Sequence, residues 1–237
     1  MNTALPHALS ESQARDEICR VGRSLFERGY VHATAGNISV RLADGFLITP
    51  TDACLGTLRP DALARLDAQG QQCSGERASK TIALHRRIYE ATAAAGQPAG
   101  CVIHTHSTAL VACSLKADAL AGGALGPNAE LLPPITPYFV MKVGHVPRIA
   151  YHRPGDPRVG DEVAQRIAQS REGGLTLRAV MLERLGPNVW HGTPAQAMAV
   201  LEELEETARL WLMSQPRPTP LTPEQIQELR EAFNASW

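Results

Sequence analysis

Two imidazoles one residue apart give this 237-residue sequence its first recognisable chemistry, His104-Thr105-His106. At the end of a strand, alternate side chains point the same way, so both rings can reach one divalent ion. A catalytic zinc site draws three ligands from the protein and keeps water or substrate in the fourth position. Two histidines fall one short of that, and a hydrogen-bonded pair is the plain alternative. Three short polar stretches offer different chemistry: Thr34-Ala35-Gly36-Asn37, Thr49-Pro50-Thr51-Asp52 and Ala78-Ser79-Lys80-Thr81. They carry hydroxyls, backbone N–H groups and an ammonium, which together can hold an anion such as phosphate. Any one of them is an ordinary turn. Their order along the chain, together with the two histidines, makes them a candidate site.

The elements that must position these groups follow from hydrophobic spacing. Ala14, Ile18, Val21, Leu25 and Phe26 recur at helical intervals, Ser10 with Gln13 forms a capping-box pattern, and Gly29 stops the helix. Residues 37–41 and 45–49 read as two strands of a hairpin, with Asp44-Gly45 at its turn. A helix is expected from Ser79 or Lys80 to about Ala95, its inward face made by Ile82, Leu84, His85, Ile88 and Tyr89. Residues 100–104 (GCVIH) read as a buried strand ending at the first histidine of the pair. A short helix over 108–116, a loop over 117–126, a buried strand over 175–182 and a long helix over 194–215 follow. Glu202, Glu203, Glu205 and Glu206 on that last helix read as a solvated face. Pro216, Pro218 and Pro220 then lead to a helix over 222–233, so the chain divides into a domain of residues 1–215 and a Pro-linked tail of 216–237.

The composition excludes several classes. With 44% hydrophobic and 20% charged residues, the chain can build a core. A net charge of -1 gives no global field to draw nucleic acid or an anionic membrane, so neither is expected as a partner. No apolar run reaches the roughly 20 residues of a membrane span, and the first residues lack a signal-peptide pattern, so a cytoplasmic location is expected. Five cysteines without a C-x-x-C pair read as buried thiols rather than a disulfide framework or zinc site.

The order of these motifs resembles the class II aldolase/adducin family, from about Ala33 to Leu212. TAGNIS is similar to the family's Gly-Asn phosphate loop, LITPTD to its second phosphate loop and HTHS to its zinc-binding His-x-His. The segments ITPYFVMKVG, YHRPGDP and LEELEETARL, with Lys80 following Ser79, resemble the 3-oxo-tetronate 4-phosphate decarboxylase branch. The resemblance implies one α/β/α domain around a mostly antiparallel sheet, a homotetramer with sites between subunits, and a zinc or other divalent ion. It also implies a lyase reaction, loss of CO2 from a phosphorylated 3-oxo sugar acid to give a triose phosphate. Asn37, Thr51 and Ser79 would hold the phosphate, Asp52 would line the same loop, Lys80 would meet phosphate or carboxylate, and His104 and His106 would be metal ligands. Tyr138 would correspond to a catalytic tyrosine given by a neighbouring subunit.

Two positions depart from the family pattern. Its acid/base glutamate stands four residues before the helix histidine, where this chain has Thr81. Its third metal histidine stands just before a late Gly-Pro, where this chain has Leu185. Glu183, His152 and His191 are the candidate substitute ligands, with Glu76 a further group able to approach the reacting centre. A silent sugar-phosphate-binding member and an adducin-like assembly protein are the alternatives to a working lyase.

Overall fold

Ser10 caps the first helix as expected: its hydroxyl accepts from Gln13 N while the Gln13 side chain reaches back to the cap, and α1 runs Glu11–Glu27. The computed structural model describes residues 9–120 and 130–237. The next strands are β1 (Asn37–Leu42), β2 (Gly45–Ile48), β3 (Ala64–Asp67) and β4 (Gln72–Ser74), leading to α2 (Ile82–Ala94). Strand β5 (Cys101–His104), helix α3 (Thr108–Leu120), a π-helical turn at Phe139–Val143, β6 (Arg148–Ile149) and α4 (Arg158–Glu172) follow. The described chain closes with β7 (Ala179–Leu182), β8 (Gly186–His191), α5 (Pro194–Met213) and α6 (Pro223–Phe233).

All eight strands share one sheet in the order β4-β3-β2-β1-β5-β8-β7-β6, antiparallel except for the β6–β7 pair. Strand alternation sends side chains to two helical layers. Cys101 and Ile103 of β5 join Ile38, Val40 and Val189 against α1, α3 and α5. Val102, Val180 and Trp190 face the opposite layer, where Ile88 and Tyr89 of α2 meet Val163 and Ile167 of α4. This is the α/β/α arrangement with a mostly antiparallel sheet that the resemblance implied. Because His104 lies two residues after Val102, it belongs to the α2/α4 face.

Several local expectations need correction. The β3–β4 pair, α4 and β8 had no expected counterpart, and the strand expected from residue 175 is confined to Ala179–Leu182. The first hairpin turns on Ala43 and Asp44, with Gly45 already paired to Leu42. Helix α3 continues to Leu120 through the first part of the expected 117–126 loop, whose remainder lies outside the described residues. Glu205 is not on a solvated face. It is 3% exposed, and its carboxylate accepts from Ala109 N at 2.9 Å and Leu110 N at 3.1 Å, capping the otherwise unpaired donors of α3. Cys101 and Cys113 are buried, but Cys73 is exposed and Cys19 and Cys54 are partly exposed, all five as free thiols. At the C-terminal end, Trp237 stacks on His145 at 4.3 Å and meets Phe139 edge-on, while no residue of α6 is buried. Among the described residues no helix is long and apolar enough to cross a membrane.

Candidate active site

Register brings the site together. Asn37 at the start of β1 lies opposite His104 at the end of β5, and His104 lies opposite Asn188 on β8, so one row of three residues crosses three adjacent strands. Two glycines let the flanking loops press against the strand end. A Cβ on Gly36 (φ +85°) would stand 2.9 Å from the His104 carbonyl oxygen, and one on Gly186 (φ +141°) would stand 1.9 Å from that of Thr105. Neither position tolerates a side chain.

On this face the start of α2 stands over the row. Asn37 Nδ2 donates to Thr81 Oγ1 at 3.2 Å, and that hydroxyl is 3.1 Å from Ser79 Oγ. Thr81, which stands four residues before His85, thus links Asn37 to Ser79 and lines the cleft. His85 is fully buried, with Nδ1 2.8 Å from Ser39 Oγ, which also meets the Tyr89 hydroxyl at 2.8 Å. Burial, with His104 nearby, pushes the His85 pKa down to about 3. Burial also pushes His104 down to about 4, with His106 adding to the effect, so both rings are neutral near pH 7. His104 Nδ1 pairs with the Pro187 carbonyl at 2.9 Å, an arrangement that makes Nδ1 the N–H and leaves Nε2 as an acceptor. The His104 and His106 rings are 5.0 Å apart between centroids, and His32 lies 6.4 Å beyond His106.

A cleft of about 880 Å³ opens over this floor. Its walls are residues 34–37 and 50–52, the start of α2, residues 150–157, and the turn from Leu182 to Asn188. The volume falls in the range of small-molecule sites. Asn37, Thr51, Asp52, Ser79, Lys80, His104 and His106 all line it, so the structure gathers the candidate binding and metal residues in one place. Asp52 holds a left-handed backbone (φ +56°), which turns the 50–52 loop into the cleft. Most of the cleft's arginines are committed: Arg87 bonds Glu90 and Asp161, and Arg86 bonds the Gln69 carbonyl. Lys80 and Arg153 carry no such partner among the described residues and remain available to an anion.

Four other candidates are placed differently. His191 sits opposite Cys101, at the far end of β8 from His104, where it bonds Gln196 at 3.0 Å; three residues of strand put it about 10 Å away. Glu76 lies outside the cleft and faces Arg59 at 3.4 Å. Glu183 lines the cleft, but its carboxylate is paired with Arg148; the strand ends at Leu182, and the turn through Arg184 (φ +63°) breaks the strand alternation that would place Glu183 and Leu185 on one face. His152 also lines the cleft, with Nε2 2.8 Å from Glu162. Tyr138 is 60% exposed and belongs to a separate hollow with Arg28, Tyr30 and Glu203, away from the histidines of its own chain. Sequence reasoning missed Asn188, Arg153 and His32. An Asn within a run of otherwise buried strand residues was the available signal for the first, and Arg153 stood inside a quoted motif.

The fold and site thus define a three-layer α/β/α protein with a cleft at a His-x-His strand end, lined by hydroxyls, Lys80 and Arg153. Comparison with known proteins makes the assignment specific. The chain belongs to the family described as Class II Aldolase and Adducin N-terminal domain, whose model matches residues 16–212. It is 49% identical to a 3-oxo-tetronate 4-phosphate decarboxylase of Cupriavidus necator, over 96% of this chain and 99% of that one. It is 37% identical to a protein of the same name from Escherichia coli, over 93% and 96% of the two chains. Among solved structures, YgbL of Escherichia coli, titled a putative aldolase/epimerase/decarboxylase, aligns with TM-score 0.79 and 34% identity, covering 93% of this chain and 99% of that one.

The donor set can be compared with the divalent ion that the resemblance implies. His104 Nε2 is suitably oriented, and His106 is beside it. The third family position is the isobutyl group of Leu185, which binds no metal, and the candidate substitute on the same turn, Glu183, is held by Arg148. Among the described residues no group of three His, Cys, Asp or Glu side chains converges. These residues do not complete a three-ligand catalytic site.

Proposed function

We propose that this chain is a carbon–carbon lyase that removes CO2 from a phosphorylated 3-oxo sugar acid and leaves a triose phosphate. The observation that carries the reading is the continuous cleft in which an anion-binding end, made by Asn37, Thr51, Ser79 and Lys80, adjoins the His104 floor. The decarboxylase names of relatives that match nearly the whole chain support it. The phosphate would sit at the N-terminus of α2, where hydroxyls, backbone donors and the Lys80 ammonium favour negative charge. Asp52 only accepts hydrogen bonds when ionised, which suits a substrate hydroxyl rather than phosphate. Arg153 lies on the same wall and suits the carboxylate.

The substrate chemistry is intrinsically favourable. As the bond to the carboxylate carbon breaks, its electron pair forms a carbon–carbon double bond and the oxo oxygen takes the negative charge. The enediolate then gains one proton on carbon and becomes the ketone. With Thr81 where the family has a glutamate, this chain offers no carboxylate base at that place, and general acid–base catalysis contributes about 10² to 10⁴-fold where present. The expected turnover is accordingly slow.

A homotetramer belongs to the same proposal. Tyr138 lines a hollow separate from the cleft of its own chain, so a neighbouring copy would have to present it. A silent binding member and an adducin-like assembly protein are set aside, because the relatives matching at similar length carry decarboxylase names. Measuring CO2 release from 3-oxo-tetronate 4-phosphate tests the reading, and light scattering tests the assembly. No CO2 above the uncatalysed rate would overturn the first, and a monomer at micromolar concentration the second.

A further inference from the structure

Asn188 is 0% exposed, and neither its Oδ1 nor its Nδ2 has a hydrogen-bond partner. Burying a carboxamide with nothing to pair with is unfavourable, and native proteins keep few such groups. This one lines the cleft floor directly opposite His104 in the β5–β8 register. Its neighbours in the row define what is missing there. Asn37 uses Nδ2 on Thr81 and leaves Oδ1 unpartnered, while His104 uses Nδ1 on the Pro187 carbonyl and leaves Nε2 as an acceptor. The row therefore presents acceptors from Asn37 and His104, and its one uncommitted donor is Asn188 Nδ2.

A 3-oxo oxygen accepts hydrogen bonds, and it accepts more strongly as CO2 leaves and negative charge collects on it. Resting on the proposed decarboxylation, we propose that Asn188 is a catalytic residue of this chain, its Nδ2 donating to the oxygen that becomes the enediolate oxyanion. The amide takes up that charge beside Leu185, where the donor set for a three-ligand metal site is incomplete. In balance, the carboxylate leaves as CO2, its electron pair passes through the new double bond onto the Asn188-bound oxygen, and one proton from solvent restores the ketone. Loss of a single oxyanion donor typically lowers kcat by about 10² to 10³-fold.

The test uses the full-length protein and two variants. Asn188→Leu removes the amide at similar volume, and Asn188→Asp keeps the shape but loses the donor when assayed at a pH where its carboxyl is ionised. The expected result is a kcat for CO2 release lowered by about 100-fold or more, with KM raised by no more than about tenfold. The thermal midpoint of Asn188→Leu should be unchanged or raised, because the variant loses a buried unpartnered amide. Calorimetric titration with dihydroxyacetone phosphate, whose keto oxygen would occupy the same place, should show binding weakened about tenfold. This titration reads the contact whether or not the parent protein releases CO2, so failure of the decarboxylase reading is distinguishable from failure of the Asn188 assignment. A folded variant, either Leu or Asp, with parental kcat or, where the parent releases no CO2, parental product affinity overturns the assignment.

Discussion

The two ends of the cleft have been treated differently by this sequence. At the proposed anion-binding end, Asn37, Thr51, Asp52, Ser79 and Lys80 are all present, and hydrogen bonds through Thr81 tie two of the loops together. At the reactive end, His104 and His106 persist, but Thr81 and Leu185 stand where the family pattern has a glutamate and a histidine, and Asn188 lies buried without a partner. Under the proposed function, recognition of the phosphorylated part of a ligand and chemistry on its oxo acid would therefore be separable in this fold. The first needs loops and a helix start; the second needs a particular few side chains on the strand ends.

The sharpest way to break that contrast is to rebuild the reactive end. Leu185→His should raise zinc affinity by on the order of 4 kcal/mol, about a third of the roughly 12 kcal/mol of a complete structural site. Competition with a chromophoric chelator would measure it, and no gain would mean that the turn before β8 does not aim residue 185 at His104. A comparable effect is expected on the stability of the unmodified protein in acid. His85 is neutral in the fold with its pKa near 3, whereas an unfolded histidine titrates near 6.5. Its contribution is complete above pH 6.5 and is lost as pH falls toward 3, because the unfolded chain binds a proton that the folded one excludes. At about 1.4 kcal/mol per unit, the loss approaches roughly 5 kcal/mol by pH 3, with roughly 3.5 kcal/mol of it gone by pH 4. Urea titrations from pH 7 to 4 should show the decline, and His85→Gln should reduce it, the remainder coming from His104, whose pKa burial lowers to about 4.

Smaller effects separate scaffold from site. Glu205→Ala should destabilise by about 2–3 kcal/mol, since two buried α3 donors lose a charged acceptor, while ligand affinity changes little. Lys80→Ala should do the reverse, weakening binding of a phosphorylated acid by about 1.5–3 kcal/mol in calorimetry with an unchanged thermal midpoint. If Lys80→Ala binds normally, the anion-binding end has been placed wrongly.

The same division governs what could be read before the fold was known. α1, β5, α5 and α6 were legible because their apolar spacing and caps are strong local signals, as in Ser10 with Gln13 and Thr222 with Gln225. β8 was not, because Gly186, Pro187 and Asn188 are residues that strands disfavour, and tertiary packing between β5 and β7 overrides that preference. α4 carried a usable signal, Val159, Val163 and Ile167 at four-residue intervals, behind a Pro-rich start. The polar loops of the cleft were readable as motifs because each is contiguous. The row of Asn37, His104 and Asn188 was not, since its members come from three strands that only pairing register brings side by side. Glu205 was read as solvated because it sits among other glutamates, and only the approach of α3 to α5 reveals its buried role.

The most direct test of the account compares CO2 release from 3-oxo-tetronate 4-phosphate with release from the same acid lacking its phosphate. The account predicts slow but enzymatic release from the phosphorylated acid, with kcat/KM at least about 100-fold lower without the phosphate, as expected when two charge-assisted contacts of 1.5–3 kcal/mol are lost. Equal rates for the two acids, or release from neither, would contradict it.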